Sequence, residues 1–356
     1  MKIPQWILPA LAALGGGWSL PAQTAPTPTA RTYHVEQTVT LAAIPLDAKT
    51  VKWWLSLPGD NRDQDVLDIS VSLPGKWSLV RDPGHGDRFL FTEVTAPAAT
   101  TLTAKLDFTL RRRPVLVAID PARVGALTDS ERQLLAEELR PDAPHMGVTP
   151  AIVALAGKAC GAETNLALEA RLLLEAVADR TVHYSIDPTK PKFSAGDATA
   201  CLANGGGTCT DIHSLFIALA RARGIPARLQ MGYRLREANA GKLVDPGYRC
   251  WAEYFLPGYG WIPTDLVEAE DPKGLGRERW FSGLTERRLW LNEGREFDLA
   301  GRAVTTHRVN TMIIGYAEID GVEARVLPEG DKPAQLSRTV LFTQVDPPDP
   351  VRVGAN

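Results

Sequence analysis

The residues best suited to chemistry begin with a cysteine that follows a run of glycines. Residues 205–207 are glycines, Thr208 follows them, and Cys209 opens an apolar stretch with helical spacing. A cysteine attacks as its thiolate, and a helix start favours an anion because the first backbone N–H groups are unpaired there. The glycines let a substrate approach the backbone, which makes Gly207 and Thr208 candidates for a cleft and an oxyanion hole. The segment predicts a cysteine nucleophile, although taken alone it also fits a loop with a buried structural thiol.

Two later segments extend the pattern around the cysteine. Residues 248–253 have the composition of a strand, and a Pro-Gly turn at 256–260 leads into a second strand that ends at Asp265. These segments predict a hairpin that follows the cysteine helix. The helix itself is expected to end at Gly224-Ile225-Pro226.

Together these segments resemble the transglutaminase-like superfamily, and especially its exported bacterial branch. The resemblance runs from about residue 197 to residue 265, and more loosely from 127 to 345. It implies a papain-like triad of cysteine, histidine and aspartate, in which Cys209 matches the nucleophile and Asp265 matches the residue that orients the base. Trp251 matches an aromatic residue of the cleft or the core. The position of the histidine, two residues before Trp251, is held by Arg249.

Arginine at this position changes the expected function. A guanidinium stays protonated at working pH, so Arg249 can stabilise a thiolate and pair with Asp265 through a bidentate fork, but it cannot carry a proton. Loss of a general acid–base costs about 10²- to 10⁴-fold in rate. The sequence therefore favours a protein of the cell envelope that binds a peptide or an envelope component, with catalysis impaired or lost.

Two alternatives stay open for the same site. Cys209 could belong to an active thiol hydrolase or acyltransferase with a surrogate base, and His213, four residues further on the same helix face, is the candidate. The simpler interpretation of His213 is a histidine hydrogen-bonded beneath the site. A thiolate next to Arg249 could also serve redox chemistry or trap electrophiles without any strong base.

Composition and the N-terminus set the class of protein. The chain has 356 residues, 44% hydrophobic and 23% charged, with a net charge of -3 and a pI near 6.1, which does not indicate a nucleic-acid or anionic-membrane partner. A positive start, an interrupted apolar run and small residues predict a signal peptide at 1–25, followed by a linker at 26–31. We therefore expect an exported protein, periplasmic or extracellular, without a membrane span.

The remaining patterns predict an α+β fold. Short alternating strands separated by turns at 32–118 predict an antiparallel β-sandwich. Helical spacing at 127–139 and 162–177, with the cysteine helix and its hairpin, places a papain-type transglutaminase-like domain at 122–275. Residues 276–345 are expected to form a β-rich C-terminal extension of this second domain, and 346–356 a tail.

Cysteine spacing and acidic residues indicate no metal or other cofactor. Cys201, Cys209, His213 and Cys250 match no common zinc-finger spacing, and no acidic calcium loop is evident. Disulfide pairing among Cys160, Cys201 and Cys250 is left open, whereas Cys209 is expected to be free. The expected partner is a peptide or protein, and the oligomeric state is not predicted.

Overall fold

The computed structural model describes residues 29–271 and 274–345. The predicted signal peptide, the first half of the predicted linker and the predicted tail lie outside these residues. The described strands are β1 (Arg31–Leu41), β2 (Thr50–Ser56), β3 (Gln64–Ser72), β4 (Trp77–Arg81), β5 (Arg88–Thr95), β6 (Leu102–Arg112), β7 (Val115–Leu116), β8 (Val182–His183), β9 (Gly206–Gly207), β10 (Ala227–Arg234), β11 (Arg249–Leu256), β12 (Gly260–Thr264), β13 (Gly283–Leu284), β14 (Arg288–Glu293), β15 (Tyr316–Ile319), β16 (Val322–Glu323) and β17 (Leu336–Val345). The described α-helices are α1 (Asp129–Leu134), α2 (Ala136–Leu139), α3 (Pro150–Cys160), α4 (Leu166–Ala178), α5 (Ala198–Asn204), α6 (Cys209–Ala222), α7 (Leu266–Ala269) and α8 (Arg277–Phe281), and 3₁₀ turns cover Pro121–Arg123 and Glu237–Asn239.

Two antiparallel sheets form a sandwich from the two ends of the described chain. One sheet has the strand order β17-β1-β6-β3 and the other β16-β15-β2-β5-β4. Alternate residues of β1 and β6 are buried, as expected for strands with one face on a core. The assignment of 276–345 to the second domain is wrong for its last strands, because β15 pairs with β2 and β17 pairs with β1. Pairing between distant strands leaves no local trace in the sequence.

A third sheet, in the order β12-β11-β10-β14, packs against helices of the central region. Helix α6 packs on β10 and β11 and is buried along nearly its whole length, from Cys209 to Arg221. At the edge of this sheet, β14 approaches β10 so closely that a Cβ on Gly232 would lie 1.8 Å from the Leu289 carbonyl oxygen. This strand comes from the predicted extension and pairs with β10 of this sheet.

The α+β fold class predicted from the sequence is confirmed, with differences in single elements. The predicted helix at 127–139 is divided into α1 and α2, because Leu135 leaves helical geometry with φ −102° and ψ 24°. Strand β2 has no counterpart in the prediction. It is buried at Trp53, Trp54 and Leu55 in succession, so it lacks the alternation by which a half-buried strand is recognised.

No helix among the described residues is long and apolar enough to span a bilayer.

Candidate active site

The start of helix α6 is fixed by a reciprocal pair of hydrogen bonds. Thr208 is the N-cap, its hydroxyl accepts from the Asp211 backbone N–H, and the Asp211 carboxylate accepts from the Thr208 N–H at 2.8 Å. Gly207 has φ +151°, and a Cβ there would lie 2.6 Å from the Asp211 carboxylate. Glycine is therefore required for this approach. Gly207 and Thr208 thus lie immediately before Cys209 and hold its helix start in place.

Cys209 is the first residue of α6 and lies in a buried polar environment with 3% of its surface exposed. Burial opposes ionisation, but hydrogen bonds from the Cys250 thiol and the His183 ring, the charge of Arg249 and the Cys250 backbone N–H together hold the pKa of the Cys209 thiol well below its usual range. Burial and the neighbouring thiolate raise the pKa of Cys250, which stays protonated and donates. The geometry therefore favours a Cys209 thiolate.

His183 is a site residue that the sequence did not reveal. Its strand β8 runs parallel to β9, with His183 opposite Gly207, two residues before Cys209, and His183 is one of the groups that lower the pKa of the Cys209 thiol. Its Nδ1 lies 2.7 Å from the Ser185 hydroxyl and accepts from the Ser185 backbone N–H at 3.2 Å, so a neutral ring carries its proton on Nε2. The resemblance places the base after the cysteine helix, whereas His183 precedes that helix in the sequence. The one available signal was a histidine in a short apolar segment upstream of the glycine run.

Arg249 lies beside Cys209 but pairs differently from the expectation. Its Nη2 donates to Glu268 Oε1 at 2.7 Å, and its Nε lies 3.8 Å from Asp265 Oδ2, beyond hydrogen-bond distance. The predicted bidentate Arg249–Asp265 fork is wrong, because Arg288 Nη2 donates to Asp265 Oδ2 at 2.7 Å instead. Burial opposes the charge of Arg249, but Asp265, Glu268 and Cys209 together raise the pKa of its guanidinium.

The charges around Arg249 balance when the thiol is ionised. Three arginines share two carboxylates in this cluster; they are Arg234, Arg249 and Arg288, with Asp265 and Glu268. Three positive charges less two negative ones leave one positive charge, which a Cys209 thiolate neutralises. Burial would raise the pKa of Asp265, but the two nearest arginines and His213 hold it well below its usual range. Asp265 therefore remains ionised.

His213 lies beneath the site with both ring nitrogens engaged. Its Nδ1 lies 2.8 Å from the Cys209 carbonyl oxygen, and its Nε2 accepts from the Leu266 N–H at 3.0 Å. The side chain is fully buried, and burial lowers the pKa of the imidazole. This bonding fits the structural interpretation of His213. It leaves no nitrogen free to receive a proton from the Cys209 thiol.

Trp251 does not line a cleft. It is 2% exposed and belongs to the hydrophobic core beneath the sheet, so the packing alternative holds for it. Tyr248 is the aromatic residue at the helix start. It is 38% exposed, and its hydroxyl lies 3.4 Å from the Thr210 hydroxyl. Tyr248 therefore covers the residue that follows Cys209.

Glu270 joins the site to β8. Its carboxylate accepts from the Thr181 hydroxyl and from the His183 backbone N–H, each at 3.0 Å. Burial outweighs these bonds and raises the pKa of Glu270 to about 7. This carboxyl anchors the strand from which the His183 ring extends.

The cysteines and acidic residues of the described chain form no other apparent site. All four cysteines are free and buried. Within residues 29–271 and 274–345, no group of three or more His, Cys, Asp or Glu side chains is arranged to hold a metal ion.

Part of the chain is similar to known proteins. Residues 154–266 match the model of the transglutaminase-like superfamily. An uncharacterised protein of Haemophilus influenzae is 26% identical over 318 residues, covering 75% of this chain and 84% of that protein. Among solved structures, a candidate cysteine protease from Cytophaga hutchinsonii has a TM-score of 0.56 at 18% identity, covering 90% of this chain and 92% of that chain. The likeness to that structure establishes the shared fold.

Proposed function

We propose that this chain, which carries a transglutaminase-like domain, is a thiol enzyme that transfers the acyl group of an amide through Cys209. The observation that carries the proposal is the Cys209 side chain at a capped helix start, with donors and a balancing positive charge that hold it as a thiolate. A thiolate is the reactive form of cysteine, and such sites are rare among structural thiols. The reaction class is amide hydrolysis, or transfer of the acyl group to an amine.

The reaction proceeds in two balanced steps. The Cys209 sulfur attacks the amide carbonyl carbon, the C–N bond breaks, and the amine leaves with an added proton while a thioester forms. Water or a second amine then attacks the thioester carbon, loses a proton, and releases the sulfur as a thiolate. The proposed donors that stabilise the oxyanion of each tetrahedral intermediate are backbone N–H groups at the start of α6.

Arg249 contributes the electrostatic part of this chemistry. Its charge lies in a buried setting, where electrostatic interactions are stronger than in water. It stabilises the thiolate both before attack and when the thioester breaks. It takes no part in proton transfer, because a guanidinium does not release its proton at working pH.

A second candidate function is a binding protein with impaired catalysis. Two observations favour it: Cys209 is 3% exposed, and Arg249 is held by Glu268 where the family places its histidine. In this account the cleft holds a peptide or an envelope component without cleaving it, and the charge cluster is a structural replacement for the triad.

The setting we propose is the cell envelope, with a peptide or protein as substrate. The N-terminal sequence pattern supports export, and the amide chemistry supports a peptide substrate. These two proposals are independent of each other. Fractionation of cells expressing the full chain tests the first: a protein retained in the cytoplasm with residues 1–25 uncleaved would contradict it.

The test of function is a comparison of the native chain with Cys209→Ala on peptide anilides and on glutamine peptides with an amine acceptor. We expect turnover by the native chain and none by Cys209→Ala. Cys160→Ala is the matched control, because Cys160 is a buried cysteine on α3 whose Sγ lies 3.9 Å from the Glu169 carbonyl. Turnover that survives in Cys209→Ala would contradict the proposal. Turnover that appears only in Arg249→His would favour the impaired binding protein instead.

A further inference from the structure

A second cysteine lies beside the start of the Cys209 helix. Cys250 belongs to β11, on which α6 packs, and its side chain is buried. Its Sγ lies 3.7 Å from the Thr210 hydroxyl and 3.4 Å from His213 Nδ1, two groups near the start of α6. The same Nδ1 lies 2.8 Å from the Cys209 carbonyl oxygen. Thiols from two different elements are therefore placed at one end of this helix.

We infer that Cys209 and Cys250 form a peroxide-reactive pair, in which a hydroperoxide oxidises Cys209 and Cys250 then closes a reversible disulfide with it. The amide chemistry proposed above makes no use of the Cys250 sulfur as a nucleophile, so this is a further activity of the same site. It does not require amide transfer, because a thiolate reacts with a hydroperoxide whether or not an amide is its substrate. The reductant that resets the pair is a small dithiol.

Cys209 is the member of the pair that is suited to react first. It is the first residue of α6, where unpaired backbone N–H groups favour an anion. It is 3% exposed, whereas Cys250 has no exposed surface. Hydrogen peroxide is hardly larger than water, so it needs far less room at the sulfur than a peptide does. The lowered pKa of the Cys209 thiol acts in the same direction.

His213 supports the second thiol during the exchange. Its Nε2 accepts from the Leu266 N–H, so the neutral ring carries its proton on Nδ1. This N–H lies close to both the Cys209 carbonyl oxygen and the Cys250 sulfur. The Cys250 sulfur therefore keeps a donor beside it when it loses its own proton. The buried ring also holds the strand cysteine and the helix start in one arrangement.

The oxidation balances in two steps. The Cys209 thiolate attacks a peroxide oxygen and the O–O bond breaks, which leaves a sulfenic acid on Cys209. The released alkoxide or hydroxide takes the proton that the thiol gave up when it ionised. Cys250 Sγ then attacks the Cys209 sulfur, the S–O bond breaks, and hydroxide leaves with the Cys250 proton as water. The electron pair lost by the two sulfurs has reduced the peroxide, and a dithiol returns it by thiol–disulfide exchange.

The experiment treats the reduced full chain with hydrogen peroxide, blocks free thiols and maps the disulfides by mass spectrometry after non-reducing trypsin digestion. Trypsin places Cys209 on residues 193–221 and Cys250 on residues 250–273. We expect a disulfide between these peptides in the native chain, and none in Cys209→Ser or Cys250→Ser. Cys201→Ser is the matched control, because Cys201 is a buried cysteine on the same peptide as Cys209, and its disulfide should form as in the native chain.

Recovery from oxidation is the second readout. Without a resolving thiol, a sulfenic acid proceeds to sulfinic and sulfonic acids, which a dithiol does not reverse. After peroxide and then dithiothreitol, alkylation of Cys209 by iodoacetamide should return to within about twofold of the untreated level in the native chain, and to less than about a tenth in Cys250→Ser. The serine keeps a small polar group in the buried position, which limits the disturbance of the fold.

Three results would overturn the inference. They are a native Cys209 that stays a free thiol in peroxide, one that becomes a sulfinic acid without a disulfide to Cys250, and one that pairs with Cys201 instead. Equal recovery of the native chain and Cys250→Ser would do the same. Amide turnover by the reduced chain is measured separately, and its absence would overturn the proposed function while the disulfide result stands.

Discussion

Two carboxylates at the ends of the short helix α7 have pKa values that are shifted in opposite directions. Asp265 caps the start of the helix, is bonded by Arg288, and has a pKa well below its usual range. Glu270 follows the end of the same helix, accepts from uncharged donors, and has a pKa raised to about 7 by burial. Asp265 is therefore ionised and paired with arginine, whereas the protonation of Glu270, on the β8 side of the site, can change near neutral pH.

This difference separates stabilisation of the thiolate from proton exchange, two tasks that a single histidine would otherwise combine. The arginine cluster stabilises the thiolate, and its charges are fixed at any ordinary pH. On the β8 side, Glu270 bonds to the His183 backbone N–H, and its raised pKa of about 7 lets this carboxyl exchange protons near neutral pH. Opposite shifts of neighbouring titratable groups are a common feature of sites that carry out acid–base chemistry.

The largest effect on stability is expected from removing one carboxylate of the arginine cluster. Asp265→Ala leaves Arg249 and Arg288 buried with one partner fewer, which should lower the free energy of unfolding by about 3–5 kcal/mol. Urea denaturation measures this change. In the control Asp65→Ala, the lost pair with Arg113 lies at the surface, and the expected cost is about 0–1 kcal/mol. Equal costs would mean that the cluster contributes no more than a surface pair.

The raised pKa of Glu270 should make the free energy of unfolding depend on pH. Between the unfolded pKa of about 4.5 and the folded value of about 7, Glu270 is protonated in the native state and ionised in the unfolded state. Stability therefore falls as pH rises through this window, by up to about 3 kcal/mol. Denaturation of native and Glu270→Gln protein at pH 5 and pH 7.5 checks this. The native chain should lose more stability than the variant, and parallel losses would contradict the raised pKa.

The two histidines at the site should differ in what they support. His213→Ala leaves the Cys209 carbonyl and the Leu266 N–H without their partner, and should cost about 2 kcal/mol or more in the free energy of unfolding. His183→Gln keeps a polar side chain and should cost less than about 1 kcal/mol. Thermal unfolding of the two variants measures the difference. A His183 variant less stable than the His213 variant would reverse the roles assigned to them.

The smallest effect is expected at Cys250, whose thiol donates to Cys209. Cys250→Ala removes this bond, so the pKa of Cys209 should rise toward its ordinary value. Alkylation of Cys209 by iodoacetamide at neutral pH should then slow, and its pH profile should move to higher pH. Peptide mass spectrometry follows the modified residue, with Cys160→Ala as control. An unchanged profile would show that the Cys250 thiol does not stabilise the thiolate.

Local sequence patterns predicted much of the site scaffold. The glycine run and the apolar stripe located α6, and turn residues located the hairpin of β11 and β12. These features depend on neighbours in the chain. The placement of Cys209 at a helix start therefore followed from residues within one segment.

The partners of that cysteine could not be predicted in the same way. His183 is brought opposite Gly207, near the start of the Cys209 helix, by the pairing of two short strands that are distant in the sequence. Arg288 bonds to Asp265 from the edge strand β14. Both contacts depend on tertiary packing, so no local pattern records them. The prediction of a bidentate fork between Arg249 and Asp265 was wrong for this reason, because Arg288 donates to Asp265 instead.

The central claim is that Cys209 is the nucleophile, and detection of its acyl-enzyme tests this most directly. The native chain would be incubated with p-nitrophenyl acetate at neutral pH, quenched in acid and digested for mass spectrometry. We predict one acetyl group per chain, on the peptide that contains Cys209, and none at this position in Cys209→Ser. Release of p-nitrophenolate without acetylation of Cys209, or with acetylation of other residues alone, would contradict the account.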